Sequence, residues 1–78
     1  MKVTVKLPRV ADTVDEVVIV EWDVSVGATV AVGDTLVRVE TDKAVVEVPS
    51  PVAGVVSELL VTADDDVTTG QPIAVIQA

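Results

Sequence analysis

The chain repeats its own pattern of apolar residues and turn glycines. When the sequence is shifted by 37 residues, apolar positions of the first half fall on apolar positions of the second half. The coinciding pairs include Val18 with Val55, Ile19 with Val56, Val24 with Val61, Val30 with Val67, Gly33 with Gly70, Leu36 with Ile73 and Val39 with Ile76, and Lys6 falls on Lys43. Since neither half could bury an apolar face alone, the repeat predicts two similar halves packed about an approximate two-fold axis.

Valine-rich alternation defines the elements of each half. Half of the 78 residues are apolar, β-branched residues favour strands, and no window has a helical period. We predict strands over residues 2–7, 17–24, 36–40, 45–48, 55–61 and 73–76, short extended pieces near residues 30 and 67, and turns at Gly27, Gly33-Asp34, Gly54 and Gly70-Gln71-Pro72. Short strands with closely spaced turns predict one all-β domain over residues 1–78, a flattened barrel or sandwich of two four-stranded antiparallel sheets, with its termini close together.

The composition excludes several classes of function. Cysteine and histidine are both absent, which removes thiol catalysis, the commonest general base and the commonest metal ligand. The net charge of −8 argues against nucleic acid or an anionic membrane as a partner and suits a basic protein surface. Apolar runs of about four residues are far too short to span a membrane. No apolar signal-peptide core follows Met1, and no transit segment precedes it, so we expect the bacterial cytoplasm rather than the mitochondrial matrix. We also expect the isolated domain to be monomeric.

A lysine stands at the predicted reversal between two valine-rich runs, in VETDKAVVEV (residues 39–48). Asp42 favours such a turn because its carboxylate can bond nearby backbone N–H groups. Lysine has no turn preference of its own. Lys43, one of only five basic residues, is therefore either a solvated residue that discourages edge pairing or a functional group held in the open.

The segment VETDKAVVEVPSPVAGVV (residues 39–56) resembles the lipoyl domains of 2-oxo acid dehydrogenase complexes. Glu40-Thr41-Asp42-Lys43-Ala44 is similar to the attachment motif of that family, and VPSPVAG (residues 48–54) is similar to the segment that follows it. The resemblance extends over nearly the whole chain, through WDVSVGATVAVGDTLVRVE (residues 22–40) and GQPIAVI (residues 70–76). It implies the same all-β fold with Lys43 at a hairpin tip.

The resemblance further implies that Lys43 carries lipoic acid, joined through an amide on its ε-nitrogen. The arm would extend a little over ~10 Å from the Cα atom. An amine suits this attachment, whereas the charge-delocalised guanidinium of arginine is a poor nucleophile. The domain itself would not be an enzyme, because lipoamide is a group carrier that the protein presents. The implied partners are a thiamine-dependent 2-oxo acid decarboxylase, the acyltransferase core, the flavin-dependent dihydrolipoyl dehydrogenase and a lipoate-attaching enzyme.

Four residues near the lysine are candidates for recognition. By the resemblance, Asp42 and Ala44 help the attaching enzyme to select Lys43; alternatively, they serve only the geometry of the turn. Glu40 and Glu47 lie on the flanking strands. They are either contacts for a basic partner or ordinary solvated strand residues.

A second candidate region follows the first strand. By the resemblance, Ala11, Asp12 and Thr13 would stand in the loop that lipoyl domains use in recognition by the decarboxylase. Gly, Glu and Ser are usual at these positions. Asp12 keeps the acidic group and Thr13 keeps the hydroxyl group, whereas Ala11 replaces the glycine. This difference leaves the identity of the decarboxylase open.

Two further features have structural interpretations. Asp64-Asp65-Asp66 lacks the ordered oxygen ligands and the closing glutamate of a calcium loop, so we expect no metal site. Asp64 falls on Gly27 in the repeat, and aspartate tolerates a left-handed backbone better than most residues. We therefore predict a strained but intact turn there. Trp22, the only aromatic residue, is predicted to pack at the edge of the core rather than to stack on a ligand.

Two alternative functions remain open. A biotin carrier domain of a carboxylase would share the fold and the modified lysine, but such domains usually have methionine beside that lysine, and here the only methionine is Met1. An unmodified module that binds basic proteins through its acidic surface would need no group on Lys43. The sequence does not distinguish which 2-oxo acid the complex acts on, or what else the parent chain contains.

Overall fold

A computed structural model describes residues 1–8, 16–42 and 44–78 of the chain. These residues form eight strands where the alternation predicted them. The strands are β1 (Lys2–Lys6), β2 (Glu16–Trp22), β3 (Thr29–Val30), β4 (Thr35–Glu40), β5 (Val45–Pro49), β6 (Gly54–Leu59), β7 (Asp66–Thr68) and β8 (Pro72–Gln77). The part of the chain described by the structure has no helix that could cross a membrane.

The strands form two four-stranded antiparallel sheets, which confirms the predicted fold class. We call the first, of order β1-β8-β6-β3, the terminal sheet because it contains both chain ends; the second, of order β5-β4-β2-β7, is the hairpin sheet. Side chains alternate between core and solvent, as in β2, where Val17 and Ile19 are buried while Val18 and Val20 are exposed. The core therefore lies between the two sheets and consists mainly of valine, leucine and isoleucine.

The predicted two-fold relation is seen in the backbone structure as well as in the sequence pattern. A shift of 37 residues carries β2 onto β6, β3 onto β7 and β4 onto β8. Each sheet has a register irregularity in the equivalent place, just after Ile19 in β2 and just after Val56 in β6. The turn bonds repeat too: Gly27 N–H donates to the Val56 carbonyl and Asp64 N–H to the Ile19 carbonyl, both at 2.8 Å.

The outer strands β1 and β5 follow a different shift. Their pairings with β8 and β4 align when Val5 falls on Val48, a shift of 43 residues. At that shift Lys6 falls on Pro49, so the coincidence of Lys6 with Lys43 in the sequence repeat is not a structural equivalence. The reason is that the connection from β1 to β2 is longer than the connection from β5 to β6.

The two chain ends lie together, as predicted. The Met1 amino group donates to the Ala78 carbonyl at 3.2 Å, and Ala78 N–H donates to the Met1 carbonyl at 2.8 Å. In the two-fold relation Ala78 corresponds to Thr41 and Met1 to Ala44, since the β8–β1 pair corresponds to the β4–β5 pair. The termini are therefore the counterpart of the hairpin reversal.

Trp22 packs at the margin of the core, which confirms its predicted place. The side chain contacts the core cluster at the end of β2. Its indole N–H donates to the Val61 carbonyl at 2.9 Å. A half-buried indole whose N–H is bonded within the domain serves structure rather than ligand stacking.

Gly54 is a strand residue and not the predicted turn. It is the first residue of β6 and pairs with Val30. A Cβ atom at this position would overlap the Gln77 carbonyl oxygen and would lie 2.9 Å from Cγ2 of Ile76 and 3.0 Å from Cα of Ala78. Glycine is needed here because two strands approach closely, and not because the chain reverses.

The turn at Asp64 is strained but intact, as predicted. Asp64 has φ of 74°, close to the 95° of its counterpart Gly27. The next residue, Asp65, closes the turn: its N–H donates to the Thr62 carbonyl at 3.1 Å, and its carboxylate accepts from Thr62 N–H at 2.8 Å. Among the described residues, no three acidic side chains are placed to hold a metal ion.

An Asp64→Val variant should lose about 1–2 kcal/mol of unfolding free energy, because a β-branched side chain tolerates the left-handed region poorly. Ala63→Val is the matched control. Ala63 is the exposed neighbour in the same turn and does not have a positive φ, so its replacement should change stability by less than about 0.5 kcal/mol. Urea denaturation monitored by Trp22 fluorescence measures both. Equal losses in the two variants would show that the backbone conformation at Asp64 is not the cause.

Candidate functional site

The reversal between β4 and β5 is where the sequence placed the functional lysine. The last pair of the hairpin is Glu40 with Val45, so the four residues from Thr41 to Ala44 make the reversal. Lys43 itself lies outside the described residues. The described part of the reversal consists of Thr41, Asp42 and Ala44.

Thr41 closes the base of this reversal. Its N–H and its hydroxyl both donate to the Ala44 carbonyl, at 2.8 Å and 3.1 Å, and Ala44 N–H donates back to the Thr41 hydroxyl oxygen at 3.2 Å. The sequence reasoning did not single out Thr41. A signal was present, since hydroxyl side chains at the start of turns bond to nearby backbone groups.

The described neighbours of Lys43 are open to solvent. Asp42 and Ala44 are both exposed, as is Glu40 at the end of β4. Shallow depressions of about 250 Å³ and 260 Å³ flank the segment from Glu40 to Asp42, one toward β2 and the other toward Val45. The described residues on both sides of Lys43 are thus accessible from solvent.

Glu47 does not join Glu40 beside the reversal. It pairs with Arg38, two residues further along β5 than the last pair of the hairpin. Its carboxylate accepts a hydrogen bond from the hydroxyl of Thr35 at 3.0 Å, at the far end of β4. The structure therefore brings Glu40, Asp42 and Ala44 together and leaves Glu47 directed elsewhere.

The predicted recognition loop lies outside the described residues. Ala11, Asp12 and Thr13 belong to the connection between β1 and β2. Their part in recognition stays a prediction. The same holds for the roles assigned to Asp42, Ala44, Glu40 and Glu47.

The two sheets differ sharply in charge although their backbones correspond. The strands of the hairpin sheet carry five carboxylates, on Glu16, Glu21, Glu40, Glu47 and Asp66, and one guanidinium, on Arg38. That guanidinium is bonded to Glu21 at 3.2 Å and to Asp23 at 3.3 Å. The strands of the terminal sheet carry Lys2 and Lys6 against Glu58 alone. The acidity of the strands is thus concentrated in the sheet that carries the reversal.

Two symmetric four-stranded sheets, with a reversal that contains the exposed residues Asp42 and Ala44 in one and the chain ends at the equivalent place in the other, define a small β domain of the kind that presents a single lysine. The family profile described as "Biotin-requiring enzyme", for biotin and lipoyl attachment domains, matches residues 3–76. The chain belongs to this biotin/lipoyl family.

Curated relatives agree with the lipoyl branch of the family. A dihydrolipoyllysine-residue acetyltransferase component of the pyruvate dehydrogenase complex, from Haemophilus influenzae, is 44% identical over 78 residues, which is all of this chain and 13% of that protein. A dihydrolipoyllysine-residue succinyltransferase component of the 2-oxoglutarate dehydrogenase complex, from Staphylococcus saprophyticus, is 47% identical over 72 residues, or 92% of this chain and 17% of that protein. The chain thus spans less than a fifth of these relatives.

A solved structure shows the same fold. The lipoyl domain of the 2-oxoglutarate dehydrogenase complex from Azotobacter vinelandii matches with a TM-score of 0.76 and 25% sequence identity, over 97% of this chain and 96% of that one. Together with the relatives, it confirms that this chain corresponds to the lipoyl domain of acyltransferase components.

Proposed function

We propose that this chain is a lipoyl carrier domain. Lys43, amide-linked to lipoate, moves acyl groups and reducing equivalents between the active sites of a 2-oxo acid dehydrogenase complex. The observation that carries the proposal is the reversal itself. An Asp-Lys-Ala motif falls in the four-residue connection of β4 and β5, and the residues on both sides of the lysine are exposed.

The surroundings of Lys43 suit a mobile arm. A mobile arm needs a rigid attachment point at the protein surface. The β4–β5 hairpin supplies the rigidity through its backbone pairs, from Glu40 with Val45 to Thr35 with Pro49. When bound, lipoamide supplies a strained disulfide that is reduced as an acyl group is accepted and is later reoxidised. A chain without cysteine offers no thiol to exchange with that disulfide.

Attachment changes the charge of the domain. The Lys43 amine attacks an activated lipoyl carboxyl group, an amide bond forms, and the leaving group and one proton depart. The lysine loses its positive charge, so the net charge changes from −8 to −9. The hairpin sheet becomes still more acidic, which favours encounter with basic enzyme surfaces.

The partners we propose are those of the complexes to which the relatives belong. They are a thiamine-dependent decarboxylase, the acyltransferase core, dihydrolipoyl dehydrogenase and a lipoate-attaching enzyme. Both pyruvate and 2-oxoglutarate complexes occur among the relatives. The choice between these substrates is therefore a matter for assay.

Intact-mass spectrometry of the domain tests the proposal. The apo-domain, incubated with lipoate, ATP and a lipoate ligase, should gain one lipoyl group, and peptide mapping should place it on the peptide containing Lys43. The lipoylated domain should then be reductively acylated by one member of a panel of 2-oxo acid decarboxylases. Failure to gain mass while a known lipoyl domain is modified in the same mixture would refute the carrier function.

Parallel incubation with biotin and a biotin ligase tests the nearest alternative. We expect no biotin to be added, because Asp42 and Ala44 occupy the positions beside the lysine where biotin domains usually have methionine. Biotin uptake without lipoate uptake would establish a biotin carrier. Uptake of neither group would favour an unmodified acidic module.

A further inference from the structure

The hydroxyl bonds of Thr41 distinguish the hairpin from its own counterpart in the fold. At the termini, Ala78 N–H donates to the Met1 carbonyl at 2.8 Å, as Thr41 N–H donates to the Ala44 carbonyl at 2.8 Å. The methyl group of Ala78 adds nothing to this bond. The Thr41 hydroxyl adds a second donor to the Ala44 carbonyl and an acceptor for Ala44 N–H. The backbone bond therefore occurs at both equivalent places, whereas the hydroxyl bonds occur only at the reversal and not at the chain ends.

These bonds act on the two residues that the reversal contains. Only Asp42 and Lys43 connect Thr41 to Ala44, so fixing both ends restricts the conformations open to the pair between them. A lysine held in the conformation that an enzyme binds loses less entropy on binding. Because Ala44 is exposed, water can replace the hydroxyl when it is removed, so global stability should depend little on it.

We propose that Thr41 is a positioning residue for the modification of Lys43. Its hydroxyl keeps the reversal in the conformation that the lipoate-attaching enzyme recognises. The inference rests on the proposed carrier function and adds to it a residue that acts through the backbone of Ala44. It assigns no contact between Thr41 and the enzyme or lipoate.

The test is a comparison of Thr41→Val and Thr41→Ser in the whole domain. Valine keeps the branched shape at Cβ and removes the hydroxyl, while serine restores the hydroxyl. With a purified lipoate ligase, the KM for the Thr41→Val apo-domain should rise about fivefold. The reason is that a smaller fraction of the molecules has the reversal in the conformation that the ligase recognises. The kcat at saturating domain should be unchanged, and Thr41→Ser should resemble the parent. Hydrogen exchange of the Ala44 amide should accelerate by a similar factor in Thr41→Val alone.

Thr35→Val provides the matched control. Its hydroxyl also makes a solvent-exposed hydrogen bond within the same hairpin, to the Glu47 carboxylate at 3.0 Å, but at the opposite end of β4. Its removal should leave the ligase kinetics unchanged. An unchanged KM for Thr41→Val, a loss confined to kcat, or a Thr41→Ser variant as impaired as Thr41→Val would each overturn the inference. A parent domain that takes up no lipoate would instead refute the carrier function on which it rests.

Discussion

A Lys43→Ala variant should take up no lipoate and should remain folded. The amine of Lys43 is the nucleophile of the proposed attachment, so its removal should abolish labelling rather than slow it. A change in a surface turn should alter the unfolding free energy by no more than about 0.5 kcal/mol. Intact mass after treatment with lipoate ligase, and urea denaturation of the same sample, measure the two effects.

Two control variants separate the lysine from its charge. Lys6→Ala removes a cation from β1 and should be labelled like the parent. Lys43→Arg keeps the positive charge but replaces the amine with a poor nucleophile, so it should be unlabelled. Labelling of Lys43→Ala at another lysine would show that the reversal does not select the site. Unfolding of Lys43→Ala would reveal a structural role that the exposure of Asp42 and Ala44 does not indicate.

A Gly54→Ala variant should be the most destabilising of the four possible glycine-to-alanine substitutions in the domain. The new Cβ would overlap the Gln77 carbonyl oxygen and press on Cα of Ala78. Since these are backbone atoms, no side-chain rotation relieves the contact, and β6 must move away from β8. We expect a loss of about 3 kcal/mol in unfolding free energy, a large part of the stability of so small a domain.

Gly33→Ala is the appropriate comparison for Gly54→Ala. Gly33 has φ of 90°, and no atom lies within 4 Å of the place that a new methyl group would take. Alanine there meets backbone strain alone and should cost about 1 kcal/mol. Urea denaturation of both variants measures the difference. If Gly33→Ala proved as harmful as Gly54→Ala, close approach of β6 and β8 would not be the reason that glycine occurs at position 54.

The strands and the two-sheet fold could be predicted because the relevant signals are local. Valine alternation marks each strand, and Gly27, Gly33 and Gly70 supply the positive φ angles of the turns. The repeat also indicated the nature of Asp64, whose φ of 74° follows from its match with Gly27. In each case the residue type reports a conformation of its own backbone.

The remaining features depend on contacts between distant parts of the chain. Gly54 looks like a turn residue, whereas its small size is required by the end of β8, more than 20 residues later. The repeat itself indicates a strand at this position, because a shift of 37 residues carries Val17, a residue of β2, onto Gly54. The coincidence of Lys6 with Lys43 in the sequence repeat is not a structural equivalence, for a related reason. A constant shift is no guide across a connection whose length differs between the halves.

The site was predicted at the level of the motif and not at the level of its hydrogen bonds. The position of Asp42 and Ala44 in an exposed reversal follows from the alternation on either side. The direction of Glu47 does not, because it depends on the bond to Thr35 across the β4–β5 pair. The bonds between Thr41 and Ala44 were within reach of turn chemistry, but only the folded structure shows that one hydroxyl serves both backbone groups.

The pairing of the chain ends determines how the domain responds to mechanical force. Met1 and Ala78 emerge side by side from the adjacent antiparallel strands β1 and β8. If the polypeptide continues on both sides, tension between its two extensions first breaks the bonds between Met1 and Ala78 and then peels β1 from β8 pair by pair, beginning with Lys2 and Gln77. If it continues on one side only, no tension acts between Met1 and Ala78, and the pairing of β1 with β8 carries no load.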